Sequence, residues 1–328
     1  MMAPVTIVVG ALLSAAGLGQ GLRIIQSSQE SWADIMVRNL HAELTANNHS
    51  VVLVGPTKHC TDSADANGDP TPLNGHCEFN SCFGEAGSAR GHNQTQPELT
   101  WLNGHPQACM RFGVESVGPS IWGGGPPQLA VAGPSGSTVV SPDWEMPFRR
   151  WSATAFSAAW AARWGRVPAI AFGSSGHKVS FPWNATKTMP YHTIYPKLAA
   201  QLVQEIAFLA EKPLIDADLF LNVNFPDVYH GFCEDPAEFK WVLTRAYKAR
   251  FWWGILEHYG PAVEHCGRDR LVSDRAIEEH MKKYPYKCLI SVTVMDSWFM
   301  EASRFEEIQE DYIRKLSHLW HCPDFPYD

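Results

Sequence analysis

No run of lysine or arginine in this chain is longer than a pair, and the formal net charge is −8. Phosphate backbones need a basic face, so nucleic acid is excluded as a partner. There is no CxxC pair, and the eight cysteines fall at no zinc-site spacing, which excludes metal held by thiolates. Beyond the N-terminus no apolar run approaches the roughly 20 residues of a membrane span. Internal repeats and low-complexity segments are lacking as well, so a solenoid and a disordered chain both drop out.

What is present suits an ordered globular protein: 328 residues, 45% hydrophobic and 12% aromatic. The N-terminus, MMAPVTIVVGALLSAAGLGQG, is a short apolar run followed by small residues. It reads as a signal peptide over residues 1–21, without the usual basic start, and with an ordinary first strand as the competing reading. Asn48-His49-Ser50, Asn93-Gln94-Thr95 and Asn184-Ala185-Thr186 are glycosylation sequons that agree with a secreted or lumenal protein. In that compartment the cysteines are expected as disulfides. Eight allow 105 pairings; the short loop Cys77–Cys82 is expected to close, and Cys266 to have a partner.

Hydrophobic pattern divides the chain further. Leu22–Ser27 reads as a buried strand, and Ser31-Trp32-Ala33-Asp34 as a capping box with aspartate in place of glutamate. Ala33, Val37, Leu40 and Leu44 then share one helical face, and Asn47-Asn48 ends the helix before the strand Ser50–Gly55. That is a β-α-β unit with parallel strands. Residues 57–126 are rich in Gly, Pro, Asn and Asp and read as long loops with at most a small subsheet. Further strands are expected at Leu129–Gly133, Val167–Phe172 and Asp218–Pro226, with helices at Ala153–Trp164 and Ile194–Glu211. Beyond them, Phe239–Arg245 and Cys288–Val294 look like strands outside the core, and Arg304–Leu319 like an amphipathic helix. The fold class is α/β, a doubly wound, Rossmann-like, mostly parallel sheet. Residues 22–328 form one domain, with a core at 22–226 and an irregular C-terminal appendage of strands and a helix at 227–328.

These pieces, in this order, resemble the SurE family of metal-dependent survival-protein phosphatases and nucleotidases, and its secreted fungal branch in particular. The carriers are RIIQSSQESWAD (23–34), VVLVGP, GDPTPLNGHCEFNSC, QLAVAGP, VPAIAFGS, DLFLNVNFP and FKWVLTR, with the neighbourhoods of Cys266-Gly267 and Cys288. The segments DPTPL…CEFNSC and LNVNFP are the specific ones. The resemblance implies a SurE-like sheet, a strand-end site and a dimer that exchanges C-terminal elements, so a homodimer through those elements is the expected assembly.

At the motif positions the resemblance breaks. Where the family reads NDDG, with both aspartates on the metal, this chain reads Ser28-Gln29-Glu30-Ser31. The family's metal-binding serine falls on Thr61, the asparagine of its SG-x-N motif on Ser135, and its phosphate-contacting SGT segment on Ala153-Thr154-Ala155. Magnesium and manganese want anionic oxygens in tight geometry. Gln29 removes one negative charge, and Glu30 carries the other about 1.5 Å further out. Neither a metal nor another cofactor is expected.

The residues expected around the concavity are Gln29, Glu30, Ser31, His59, Thr61, Asp65 and Ser135. Trp32 walls it, and the segment 143–151 hangs over it with Asp143, Trp144, Arg149 and Trp151. Glu30 and His59 pair as acid and base if the fold brings them together; otherwise Glu30 accepts hydrogen bonds from the helix N-terminus and His59 is a surface histidine. Gln29 completes the candidate catalytic set. Ser31, Thr61, Asp65, Ser135, Asp143, Trp144, Arg149 and Trp151 are candidates for substrate binding. The aromatics suit an apolar small molecule, and the arginines suit an acidic group on it. The leading expectation is metal-free acid–base, isomerising or cyclising chemistry on such a substrate, as in fungal secondary metabolism. A residual SurE-like acid phosphatase or nucleotidase, and a ligand-binding pseudoenzyme, remain the alternatives.

Overall fold

A computed structural model of the chain describes residues 21–60, 68–82, 87–139, 152–176, 178–208, 218–228, 231–245, 250–252, 255–257, 264–268, 270–297 and 306–325. The elements in chain order begin with β1 (Arg23–Ser27), α1 (Ile35–Ala46), β2 (Ser50–Pro56), β3 (Arg90–His92) and β4 (Leu99–Leu102). Next come α2 (Pro106–Phe112), α3 (Gly118–Ile121), β5 (Leu129–Ala132), α4 (Ala153–Arg163), β6 (Ala169–Ser174), α5 (Tyr191–Phe208) and β7 (Leu219–Phe225). The remainder is β8 (Lys240–Arg245), β9 (Arg250–Trp252), β10 (Ile255–Glu257), β11 (Val272–Ser273), α6 (Asp274–Lys283), β12 (Leu289–Asp296) and α7 (Glu306–Lys315).

Ten strands form one sheet in the order β11-β8-β12-β7-β6-β5-β1-β2-β4-β3. The six from β7 to β4 are parallel, while β3 pairs antiparallel with β4 and β12 antiparallel with β7. The expected α/β, mostly parallel architecture holds. One expectation needs correcting. The strands near Phe239–Arg245 and Cys288–Val294 are not outside the core, because β12 pairs with β7 and β8 with β12, extending the same sheet. Apart from Lys240, both strands are buried along their whole length, as strands covered on two faces are.

Helices cover both faces. Successive residues of β1 point opposite ways: Ile24 packs with Leu40, Leu44, Leu198 and Leu202 below α1 and α5, whereas Ile25 packs with Val54, Ala108, Ala155 and Ala158 below α2 and α4. The small side chains of α4 let it lie close to the sheet. Helix α1 starts three residues later than the capping-box reading put it: Asp34 is the cap, accepting from Met36 N at 2.7 Å and from Val37 N, and Ser31–Ala33 form the turn before it.

The stretch read as loop between 57 and 126 holds more structure than expected. Helix α2, a π turn at Gly113–Val117 and α3 run on from one another. A side chain at Gly113 would meet the Ile25 methyl at 2.7 Å, so the glycine that suggests a loop serves instead to seat this helix on β1. Three disulfides close, Cys77–Cys82, Cys233–Cys288 and Cys266–Cys322, which includes the expected short loop and gives Cys266 its partner.

Candidate active site at the switch of strand order

From β1 the chain proceeds outward to β2 on one side and returns to β5 on the other. Open α/β sheets bind ligands at such a reversal, outside the carboxyl ends of the strands. The loops leaving β1 and β5 diverge here, and their backbones are tied together. Glu30, three residues beyond β1, accepts the backbone N–H of Gly136 through Oε1 at 2.8 Å. Its Oε2 meets Nδ1 of His59, from the loop after β2, at 2.5 Å. Three strand-end loops therefore converge on one carboxylate.

The pair is asymmetric. Glu30 keeps 3% of its side-chain surface exposed and His59 38%, so the imidazole is the member a solute can reach. The hydrogen bond to Glu30 raises the His59 pKa above its ordinary value, against some desolvation, and the charges of Glu30, Glu78 and Asp34 add to the rise. Glu78 also accepts the His59 backbone N–H at 2.8 Å, which fixes the loop. Beneath the pair, burial pushes the carboxyl of Asp34 up to about 7, and the charge of Glu30 adds to the rise. The cap of α1 is thus Asp34, and Glu30 does not serve the helix.

The other predicted residues divide into two groups. Gln29 is buried, donates from Nε2 to Ser137 Oγ at 2.9 Å and accepts from Thr154 Oγ1. Ser31 is buried with its Oγ accepting from Ala33 N, and Ser135 donates to the Ser137 carbonyl at 2.9 Å. These three support the loops and present no polar atom outward. Thr61, Asp65, Asp143, Trp144, Arg149 and Trp151 lie outside the described residues. Trp32 is buried, donating to Ser81 Oγ at 2.9 Å.

A divalent cation does not fit this donor set. Glu30 is the one carboxylate among the described residues at the family's metal positions, and both its oxygens already accept hydrogen bonds. The amide of Gln29 and the hydroxyl of Ser135 are neutral and internally bonded. Hard cations of this class need anionic oxygens.

Two residues at the rim escaped the sequence reading. Cys60, next to His59, has its Sγ 3.2 Å from Nδ1 of His105, the residue that precedes α2. Sequence spacing speaks to cysteines only as zinc ligands or bridge partners, and His105 sits in a stretch that reads as loop. Behind the site, Asp274 at the start of α6 accepts hydrogen bonds from Asn222 and Asn224 of the LNVNFP segment and from Thr244 and Thr293. Burial raises its carboxyl to about 6. Asn224 in turn accepts the Val139 N–H at 2.9 Å, so this asparagine anchors the loop that carries Gly136.

Comparison with known proteins adds three findings. A family model described as "Survival protein SurE" matches residues 28–251. An "Acid phosphatase" of Yarrowia lipolytica (strain CLIB 122 / E 150) is 24% identical over 232 residues, a match covering 68% of this chain and 62% of that relative. The chain thus spans less than two thirds of that relative's length. The crystal structure of the SurE protein from Aquifex aeolicus superposes with a TM-score of 0.53 at 16% identity, covering 89% of this chain and 99% of that one. At such identity the likeness speaks to the fold alone.

Proposed function

The chain belongs to the SurE family of survival proteins, and from that premise we propose that its site works without a divalent metal, by general acid–base chemistry of Glu30 and His59 on a small organic substrate. The contact between Glu30 Oε2 and His59 Nδ1 carries the proposal. With Nδ1 held by the carboxylate, Nε2 is the nitrogen that meets a substrate. The raised pKa keeps the ring protonated toward neutral pH, so His59 acts first as an acid, and the carboxylate stabilises the imidazolium whenever the proton returns. An isomerisation or ring closure needs no more than such a shuttle. An apolar substrate body, contacted by Trp144 and Trp151, and residence in the secretory lumen belong to the same proposal. The three disulfides support the second of these.

The acid phosphatase relative favours a second reading, hydrolysis of a phosphate monoester. Such esters need acceleration on the order of 10²¹-fold, and a general acid or base supplies roughly 10²–10⁴. The magnitudes therefore favour the first reading. Assay of p-nitrophenyl phosphate and nucleoside monophosphates with magnesium or manganese, against Glu30→Gln and against chelator, separates the two. Turnover no faster than Glu30→Gln, and no rise in melting temperature with manganese, is the expected result. Metal-stimulated hydrolysis abolished by the substitution would establish the phosphatase reading instead.

A further inference from the structure

We propose that Cys60 and His105 form a nucleophile–base pair that takes an acyl group from a small carboxylic ester or thioester. The pair goes beyond the proton shuttle of Glu30 and His59 and does not depend on it.

Four observations carry the proposal. Cys60 Sγ and His105 Nδ1 stand 3.2 Å apart, within reach for a sulfur-to-nitrogen proton transfer. Both residues are partly exposed, in contrast to Cys109, the other cysteine outside the three disulfides, which is fully buried. Both positions are held from the backbone: Cys60 N donates to the Gln29 carbonyl at 2.8 Å, and the His105 carbonyl accepts from Cys109 N at 2.9 Å inside α2. Finally, Cys60 directly follows His59, and its N–H is bonded to the loop that carries Glu30, so the pair sits beside the strand-end site already described. The charges flanking His59 favour an acyl group over a phosphoryl group, since the Glu30 and Glu78 carboxylates oppose a phosphate dianion but not a neutral carbonyl.

The chemistry closes on itself. As the Cys60 sulfur bonds to the carbonyl carbon, its proton passes to His105. Collapse of the tetrahedral adduct breaks the carbon–oxygen or carbon–sulfur bond of the substrate, and the leaving alcohol or thiol departs with the proton from His105. Water then attacks the acyl-enzyme and gives one proton to His105. The acid is released, and the proton returns to the Cys60 thiolate as the carbon–sulfur bond breaks. The net reaction is hydrolysis, with water as the co-reactant.

The test uses the full chain and p-nitrophenyl acetate, quenched in acid and mapped by peptide mass spectrometry. An acetyl adduct on Cys60, with a stoichiometric burst of p-nitrophenol, is the expected result. Cys60→Ser should abolish the adduct, and Cys109→Ala should keep it. His105→Asn should slow acylation at least tenfold at neutral pH and slow alkylation of Cys60 by iodoacetamide equally, with an unchanged melting temperature. The NMR titration of His59 is followed in the same wild-type preparation, so failure of the proton shuttle and failure of the acyl transfer are read separately. A burst that survives Cys60→Ser, no adduct in the wild type, or a Cys60–Cys109 disulfide in the unreduced native protein would each overturn the proposal.

Discussion

Glu30 holds three loops at once, so its substitution is expected to act first on the ring it faces. In the folded protein the His59 proton is held above the ordinary histidine value of about 6.5. An NMR titration of the imidazole should show that rise, and Glu30→Gln should bring the midpoint down toward the ordinary value. An unchanged midpoint would remove Glu30 as the cause. The pair's contribution to stability is complete below about pH 6.5 and is lost as the pH climbs through the raised value. Asp34 adds a second dependence of the same direction. Its carboxyl titrates at about 7 when folded and near 3.9 when unfolded, so the folded chain binds the extra proton between those limits. Stability should therefore fall as pH rises from about 4 to about 7. Asp34→Asn retains an acceptor for Met36 and Val37 and should flatten that slope in thermal melts taken across the range. A slope left intact would assign it to other groups.

At the scale of elements, the turn between β1 and α1 fits against β2 with no spare room. A side chain at Gly55 would stand 2.8 Å from the Cα of Trp32, whose backbone N–H bonds the Pro56 carbonyl at 2.9 Å. Backbone cannot swing aside as a side-chain tip can. Gly55→Ala should then cost about 1–3 kcal/mol, read by denaturant melts, and should disturb Glu30 because it rides on the same turn. The β1-α1-β2 unit was legible because its periods are unbroken: Val37, Leu40 and Leu44 fall on one face, and β2 is apolar from Val51 onward. Glu30 and His59 followed from it, since both lie just past strand ends. Helix α2 was not legible, because Pro106 and Gly113 bracket it and its apolar residues are too few to set a period. With α2 hidden, His105 had no position, and the neighbour of Cys60 went unseen. The pairing of β8 with β12 is non-local, and no pattern within either strand encodes the partner.

The whole molecule is stapled where its chain order is least direct. Cys233–Cys288 and Cys266–Cys322 close loops of 55 and 56 residues. Loop-closure entropy at that length is worth about 4 kcal/mol for each bridge. Reduction under native conditions should lower the melting temperature substantially and expose residues beyond β7 to protease first. If the reduced protein melts where the oxidised one does, the bridges contribute nothing and the sheet alone secures that half. Thiol counting on denatured, unreduced protein should find two sulfhydryls, Cys60 and Cys109, of which Cys60 alone reacts before denaturation.

Because β12 lies between β7 and β8, the sheet cannot be completed in the order in which the chain is made. During synthesis β8 emerges well before the strand that connects it to the rest, and until Leu289–Asp296 leaves the ribosome β7 ends in an open edge. Open edges pair with other chains, so this half of the chain is exposed to mispairing while translation proceeds. Cys288 immediately precedes β12, which means the bridge to Cys233 can form only as that strand docks. Oxidation of this pair would therefore report that a newly made chain has finished its sheet, and a chain halted before Cys288 would present to the cell's quality control both an unclosed edge and a Cys233 that lacks its native partner.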